Sequence, residues 1–279
     1  MTTAVRAVDA YPGLVAPRPH LVAPRHRSVS ITLRVVGPLV LIGVWWIAAG
    51  SGALNPAVLS SPAQVAKTAW QLWQSGQLQS AIGVSLYRAV VGLAIGVATG
   101  LVLGVITGFW RLGEELLDSP LQILRALPFL SLVPLFMVWF GIGDEARIIL
   151  IAVATTFPMY VSTAGGVRAV DPKLVEAMRS FGLRGWALVR EVVLPGALPS
   201  LLSGFRLSMT LSVIALIAAE EINTTSGIGY LMNQAETFSR TDILTVCVLL
   251  YGLLGLGADL IARGTERVLM PWRPRRAAR

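Results

Sequence analysis

Three arginines, Arg88, Arg125 and Arg206, fall at or near long apolar stretches of this 279-residue chain. A cation so placed either marks the path of a charged solute or reaches along its own stem to the nearest membrane surface. Both readings stay open for each of the three. Ser203, Ser208, Thr210 and Ser212 share the apolar run that holds Arg206. Their hydroxyls can line a polar pathway or bond back to the carbonyls of the preceding turn. Glu220 and Glu221 close that run. Carboxylates there would repel an anion, so Glu220 is expected to be structural or gating, paired with a cation on a neighbouring helix.

Bond-breaking chemistry is not indicated. The two lysines, Lys67 and Lys173, lack the preceding glycine that a phosphate-binding GK[ST] loop requires. The histidines, His20 and His26, lie in a basic tail, and the single cysteine, Cys247, lies inside the apolar run LTVCVLLYGLLGLG, where packing is its expected role. No nucleophile, base and orienting group gather in a polar stretch, and one cysteine makes neither an internal disulfide nor a thiol metal cluster. No catalytic residue and no metal site are expected.

The elements that must hold these residues are membrane helices. Hydrophobic residues make up 54% of the chain and charged ones 14%, against roughly 25% charged in soluble domains. The formal charge of +8 is not gathered with aromatic residues on a soluble domain, so nucleic acid is not an expected partner. Stretches near the 20 apolar residues a span needs occur at 35–50, 85–108, 121–140, 147–167, 198–219 and 243–262. The third contains Pro128 and Pro134, which spans tolerate where neighbours satisfy the freed carbonyls. The expected fold is an all-α membrane protein of about six transmembrane helices. A basic proline-rich tail (1–34) precedes the transmembrane body (35–263), and a second basic tail (264–279) follows.

Arginine and lysine positions orient these spans. Five arginines in the first tail, Arg111, the group Arg168, Lys173, Arg179, Arg184 and Arg190, and six arginines from Arg263 to Arg279 fall on one side; Lys67, Arg147 and Arg240 fall on the other. Both termini and the stretch 171–195 are therefore expected in the cytoplasm. In the first outer loop, SPAQVAKTAWQLWQSG offers Ser61 as N-cap, Pro62 at the first helical position and an apolar side of Val65, Ala69, Trp70, Leu72 and Trp73. It is expected to lie along the outer surface with its tryptophans at headgroup level. Gly92, Gly96, Gly100, Gly104 and Gly108 recur every four residues, which marks a helix packed closely against another, in the same chain or in a second copy.

The segment DPKLVEAMRSFGLRGWALVREVVLPGALP, residues 171–199, is unusually charged for this chain. Asp171 suits an N-cap, Pro172 the first helical position and Gly182 the left-handed stop. Leu174, Ala177, Met178 and Phe181 form one side of the resulting helix. A second short helix is expected through Trp186, Val189 and Val193 until Pro195 and Pro199 return the chain to the membrane. Two short helices with an apolar stripe are marginal alone in water. The stripe either docks on a partner or folds back on the protein's own base.

Glu176, Ala177 and Gly182, then Val192, Leu194 and Pro195, resemble the E-A-A, three residues, G, nine residues, I-x-L-P signature of ABC importer permeases, with Met178 and Val192 as mild departures. ALPFLSLVPLFMVWFGIGDEARI, VLPGALPSLLSGFRLSM and AAEEINTTSGIGYLM resemble the nitrate/sulfonate/taurine/bicarbonate branch, and the C-terminal SGIGYLMNQAETFSRTDILTV is most similar to aliphatic-sulfonate permeases. The resemblance implies a multi-pass protein of the bacterial inner membrane that imports small organic anions, most often alkanesulfonates, with taurine, nitrate and bicarbonate as alternatives. It implies a second copy of the chain, two cytoplasmic ATPase subunits carrying ATP and Mg, and an external binding protein. It also implies that 176–195 forms a coupling helix. An ATP-independent secondary transporter is the remoter alternative; it predicts inverted repeats, and none is evident.

Overall fold

In a computed structural model the structure describes residues 27–51, 58–110, 115, 116, 120, 123 and 129–270, and these are helices and the turns between them. The helices are α1 (Arg27–Gly50), α2 (Pro62–Gln74), α3 (Gln77–Phe109), α4 (Phe129–Phe140), α5 (Asp144–Arg168), α6 (Pro172–Ser180), α7 (Gly185–Leu188), α8 (Leu194–Glu221), α9 (Ile228–Thr237) and α10 (Thr241–Leu269). Trp45–Arg273 form one compact unit, and the packing below lies within it. Among the described residues four helical runs are long and apolar enough to cross a membrane: Gln77–Phe109, Asp144–Arg168, Gly185–Glu221 and Thr241–Leu269. The first and third expected spans appear as shorter apolar helices, Leu39–Gly50 and Ser131–Phe140. Pro134 lies within α4; Arg125 and both tails as far as residue 26 and from 271 lie outside the described residues.

The glycine row of α3 packs inside the chain. Gly92 meets Ile151, Gly96 Thr155, Gly100 Met159, Gly104 Thr163 and Gly108 Val167, so the register between α3 and α5 stays constant down the contact. At Gly100 a Cβ would lie 2.5 Å from the Thr156 carbonyl oxygen and 2.8 Å from Met159 Cβ. Only glycine lets the backbones come this close. α8 closes on α5 by the same device, since a Cβ on Gly204 would lie 2.5 Å from Ser162 Cβ, and one on Gly166 2.7 Å from Ser200 Cβ. The central core joins Ala81, Ile151, Leu216, Ile228 and Cys247. Cys247 is fully buried there, as packing.

Two boundaries differ from the sequence expectation. α3 starts at Gln77, eight residues before the apolar stretch, because Gly76 at φ +77° reverses the chain directly from α2 into it. α2 itself has Ser61 Oγ accepting from Gln64 N at 3.3 Å and Pro62 in the first turn. Its Val65 and Leu72 pack with Leu78 and Val246, while Trp70 and Trp73 stay exposed. The second difference is larger. Pro195 and Pro199 do not end the helix that follows Gly185: one helical run continues from Gly185 to Glu221. Val189–Val193 form a single π turn, in which Leu194 N donates to Val189 O. A proline ring clashes with the carbonyl four residues back in an α-helix, and the wider π turn before Pro195 gives that ring room.

Candidate functional site

The sequence-selected residues divide between the two ends of the bundle. At one end α6 is capped as expected: Asp171 Oδ1 accepts from Lys173 N at 2.9 Å, and Gly182 at φ +90° lets Leu183 N reach back to Met178 O at 3.1 Å. That 6→1 bond satisfies a terminal carbonyl and turns the chain sharply. No residue of α6 is buried. Leu174 is 50% exposed, Phe181 83% and, across the turn, Trp186 74%. Within this chain the stripe therefore does not fold back on the protein. Glu176, Ala177 and Gly182 are exposed with it, Leu194 and Pro195 are exposed further on, and Val192 is buried under the π turn.

At the opposite end of α8 a charge network joins five helices, α3, α5, α8, α9 and α10. Arg88, early in α3, has no exposed surface. Its Nη1 donates to Glu220 Oε1 at 2.6 Å and to the Ser226 carbonyl at 2.9 Å; Nε and Nη2 reach Asp144 Oδ1 at 2.9 and 2.5 Å, and Nη2 also reaches Ser226 Oγ at 2.7 Å. All five guanidinium protons thus have acceptors. Glu220, equally buried, accepts from Ser85 Oγ at 2.7 Å, Tyr251 Oη at 2.9 Å and Gly229 N at 3.0 Å as well. Ser85 Oγ in turn accepts from Ile228 N at 2.9 Å. Gly227, at φ +96°, brings the turn onto this pair; a Cβ there would lie 2.6 Å from Glu220 Oε1 and 2.7 Å from Arg88 Nη1.

Beside them Arg147, 2% exposed, donates only to carbonyls: Ile142 and Gly143 at 2.7 and 2.9 Å, and Ala219, Asn223 and Ile222 at 3.2, 2.8 and 3.5 Å. It staples the start of α5 to the end of α8, satisfying oxygens that a helix C-terminus leaves open.

The structure thus brings Arg88 and Glu220 together, and Arg88 does not snorkel to a surface. Arg206 is elsewhere, partly exposed and bonded through Nη2 to Asp259 Oδ1 at 2.9 Å, a carboxylate that Arg263 also pairs with. Ser203, Thr210 and Ser212 bond back to Pro199 O, Arg206 O and Met209 O, whereas buried Ser208 donates across to Thr155 O at 2.8 Å. Ser208 joins α8 to α5. Sequence reasoning passed over Ser85, Asp144, Arg147 and Tyr251. A signal for one of them existed, because Arg147 continues the row of α5 that faces the glycines by one step, as Arg88 continues the glycine row itself. Among the described residues no three His, Cys, Asp or Glu side chains gather as a metal-holding group.

Residues 96–269 match the family model described as binding-protein-dependent transport system inner membrane component. The chain is 44% identical over 237 residues to the "Putative aliphatic sulfonates transport permease protein SsuC" of Escherichia coli (strain K12), covering 85% of this chain and 90% of that one. The protein of the same name from Bacillus subtilis (strain 168) is 36% identical over 85% of this chain and 86% of its own. Among solved structures, an amino acid ABC transporter crystallised with histidines superposes with a TM-score of 0.57 at 19% identity, over 71% of this chain and 96% of that one, which is a likeness of fold. Taken with the helical spans, these matches place the chain in the inner membrane as a multi-pass protein, and it belongs to the binding-protein-dependent transport system inner membrane components.

Proposed function

We propose that this chain is the permease subunit of an ATP-driven importer of aliphatic sulfonates. The likeness to the two aliphatic sulfonates permeases over most of both chains supports the substrate class. The observation that carries the mechanism is the bare apolar stripe of α6. Leu174 stands exposed on a helix that buries nothing of its own, and Phe181 at its C-cap and Trp186 across the turn are exposed beside it. A helix of nine residues has little stability in water without a partner surface.

In this reading two copies of the chain span the membrane with six helices each and both termini in the cytoplasm, and each α6 rests on one of two ATPase subunits that hold ATP and Mg. An external binding protein delivers the sulfonate. Glu176 pairs with a basic group on the ATPase, Ala177 keeps the contact face low and Gly182 makes the turn. Val192, Leu194 and Pro195 set the path into α8. Arg88 and Glu220 belong to the gate at the far end; Arg125, Arg206 and Ser208 are assigned to the pathway.

Proteoliposomes holding the permease, its ATPase and its binding protein test this directly. Alkanesulfonate should accumulate only with ATP, and a Phe181→Ser, Trp186→Ser double variant should lose the co-purifying ATPase while melting at the wild-type temperature. Uptake that persists without any ATPase would end the importer reading.

A further inference from the structure

The close contact of α3 with α5 stops at Gly92, and the next positions on the two facing rows are Arg88 and Arg147. From Gly92 inward the helices touch with no room for a Cβ, and α8 meets α5 in the same way at Gly204 and Gly166. Beyond Gly92 hydrogen bonds and ion pairs join α3 and α5 to the end of α8 and the turn after it, beside two apolar clusters, one of Ala81, Leu216 and Ile228 and one of Leu150 and Ala219. A close-packed contact has one arrangement, whereas a polar one can exchange partners.

The network divides cleanly along a seam. On one side, carried by the packed pair α3 and α5, are Ser85, Arg88, Asp144 and Arg147. On the other, carried by the end of α8, the following turn, α9 and α10, are Glu220, Ser226, Gly229 and Tyr251. Arg88 reaches across to Glu220 and Ser226, Ser85 to Glu220 and Ile228 N, and Arg147 to the carbonyls of 219–223. Each side also has a pairing of its own. Arg88 keeps Asp144, on the same rigid pair, and Glu220 keeps Tyr251 and Gly229 N. Removing one partner of a buried ion pair is costly because it strands the other charge. Here, parting the seam leaves Arg88 its carboxylate partner Asp144, and leaves Glu220 two hydrogen-bond donors but no cation.

Asp144 differs from the other members in its surroundings. Its side chain is 48% exposed, while those of Arg88 and Glu220 are 0% exposed. A carboxylate already half in water needs little rearrangement when water enters beside it.

We propose that the seam is a latch at the outer end of the permease, and that Asp144 is the standby counter-ion of Arg88. With the latch shut, Arg88 is shared by Glu220 and Asp144. When α8 swings away on the outside, pivoting on its glycine contacts with α5, Glu220 leaves with Tyr251 and Asp144 alone holds the guanidinium. Asp144 is thus a positioning residue for transport, and it acts through Arg88 without needing to touch the substrate. The proposal rests on the importer reading.

The two carboxylates should then give opposite signatures in the reconstituted complex. Asp144→Asn leaves the shut latch its Glu220 bond but strands Arg88 on opening. It should assemble with the ATPase and melt near the wild type, with sulfonate uptake and binding-protein-stimulated ATP hydrolysis both reduced by about tenfold. Asp144→Glu should restore both. Glu220→Gln weakens the shut state and should raise ATP hydrolysis in the absence of the binding protein by roughly fivefold. If Asp144→Asn transports like the wild type, raises unstimulated hydrolysis, or fails to assemble, the standby role is wrong. Should the wild type itself show no ATP-dependent uptake, it is the importer reading that fails.

Discussion

Alanine at Gly100 and at Gly83 should move stability in opposite directions, although both positions lie in the interior of α3. Alanine is favoured over glycine within a helix by about 1 kcal/mol, a gain available at both sites. At Gly83 a new Cβ meets nothing within 4 Å, so the gain is kept. At Gly100 it would lie 2.5 Å from the Thr156 carbonyl oxygen, 2.8 Å from Met159 Cβ and 3.0 Å from Tyr160 N. Two of those three atoms are backbone and cannot swing aside. The helices must therefore separate, and because the register is constant, Gly96 and Gly104 lose contact with α5 as well. Overpacking of a core costs typically 1–3 kcal/mol, and here the upper end applies because the displacement is shared along a row. The net is about 2 kcal/mol of loss at Gly100 against up to about 1 kcal/mol of gain at Gly83. For a chain of this size that is a fall of about 4–8 °C and a rise of about 2 °C respectively. The assay is the fraction of monodisperse detergent-solubilised protein after heating at a fixed rate, since such unfolding is irreversible and the apparent midpoint depends on the scan. A Gly100→Ala protein that melts at or above Gly83→Ala would refute the close-contact argument.

Two further outcomes follow from the polar ties. Arg147→Met leaves five carbonyls at the junction of α5 and α8 without a donor, and should cost about 3 kcal/mol in the same melting assay; Arg147→Lys, with three donors for five acceptors, should recover less than half. Thr68→Val removes the hydroxyl that donates to Asp242 Oδ2 at 2.7 Å, but Arg240 still holds that carboxylate through Nε and Nη2. The change should therefore be local, with amide exchange in Pro62–Gln74 faster by about fivefold, corresponding to about 1 kcal/mol, and unchanged exchange there would show that α2 is held by its apolar face alone.

How much could be read in advance followed the range of the interactions. Ser61 with Pro62, and Asp171 with Pro172 and Gly182, are local signals, and each cap forms where the residue types place it. The glycine row of α3 announced a close contact, though not that α5 of the same chain supplies it, because spacing carries no information about the partner. The start of α3 was misplaced because polar residues between Gln77 and Ser85 hid a helix set by the turn at Gly76. The two readings of Arg88 stayed open for a related reason. Its carboxylates come from positions 144 and 220, and nothing near residue 88 in the chain announces either. Arg147, likewise, counted among the charges of the outer side until the register of α3 on α5 set it one step beyond Ile151, at the level of Arg88.

The continuity of the chain through Pro195 and Pro199 matters most for mechanism. Had the prolines ended a helix, Trp186 and Glu220 would sit on separate pieces joined by a hinge, and movement at α6 would be lost in it. Instead one helical run of 37 residues carries both, a length of roughly 55 Å at 1.5 Å per residue. Its irregularity is the π turn at Val189–Val193, which lies beside the proposed ATPase contact and far from the seam. Beyond that turn the glycine contacts with α5 leave the rod little freedom to slide, since a shift along the axis would drive Ser162 and Ser200 into neighbouring side chains. Tilting about those contacts is the motion left to it. A small tilt at the α6 end would then appear at Glu220 with the sign reversed, so that in the importer proposed above pressure from the ATPase at α6 parts the seam at the other end.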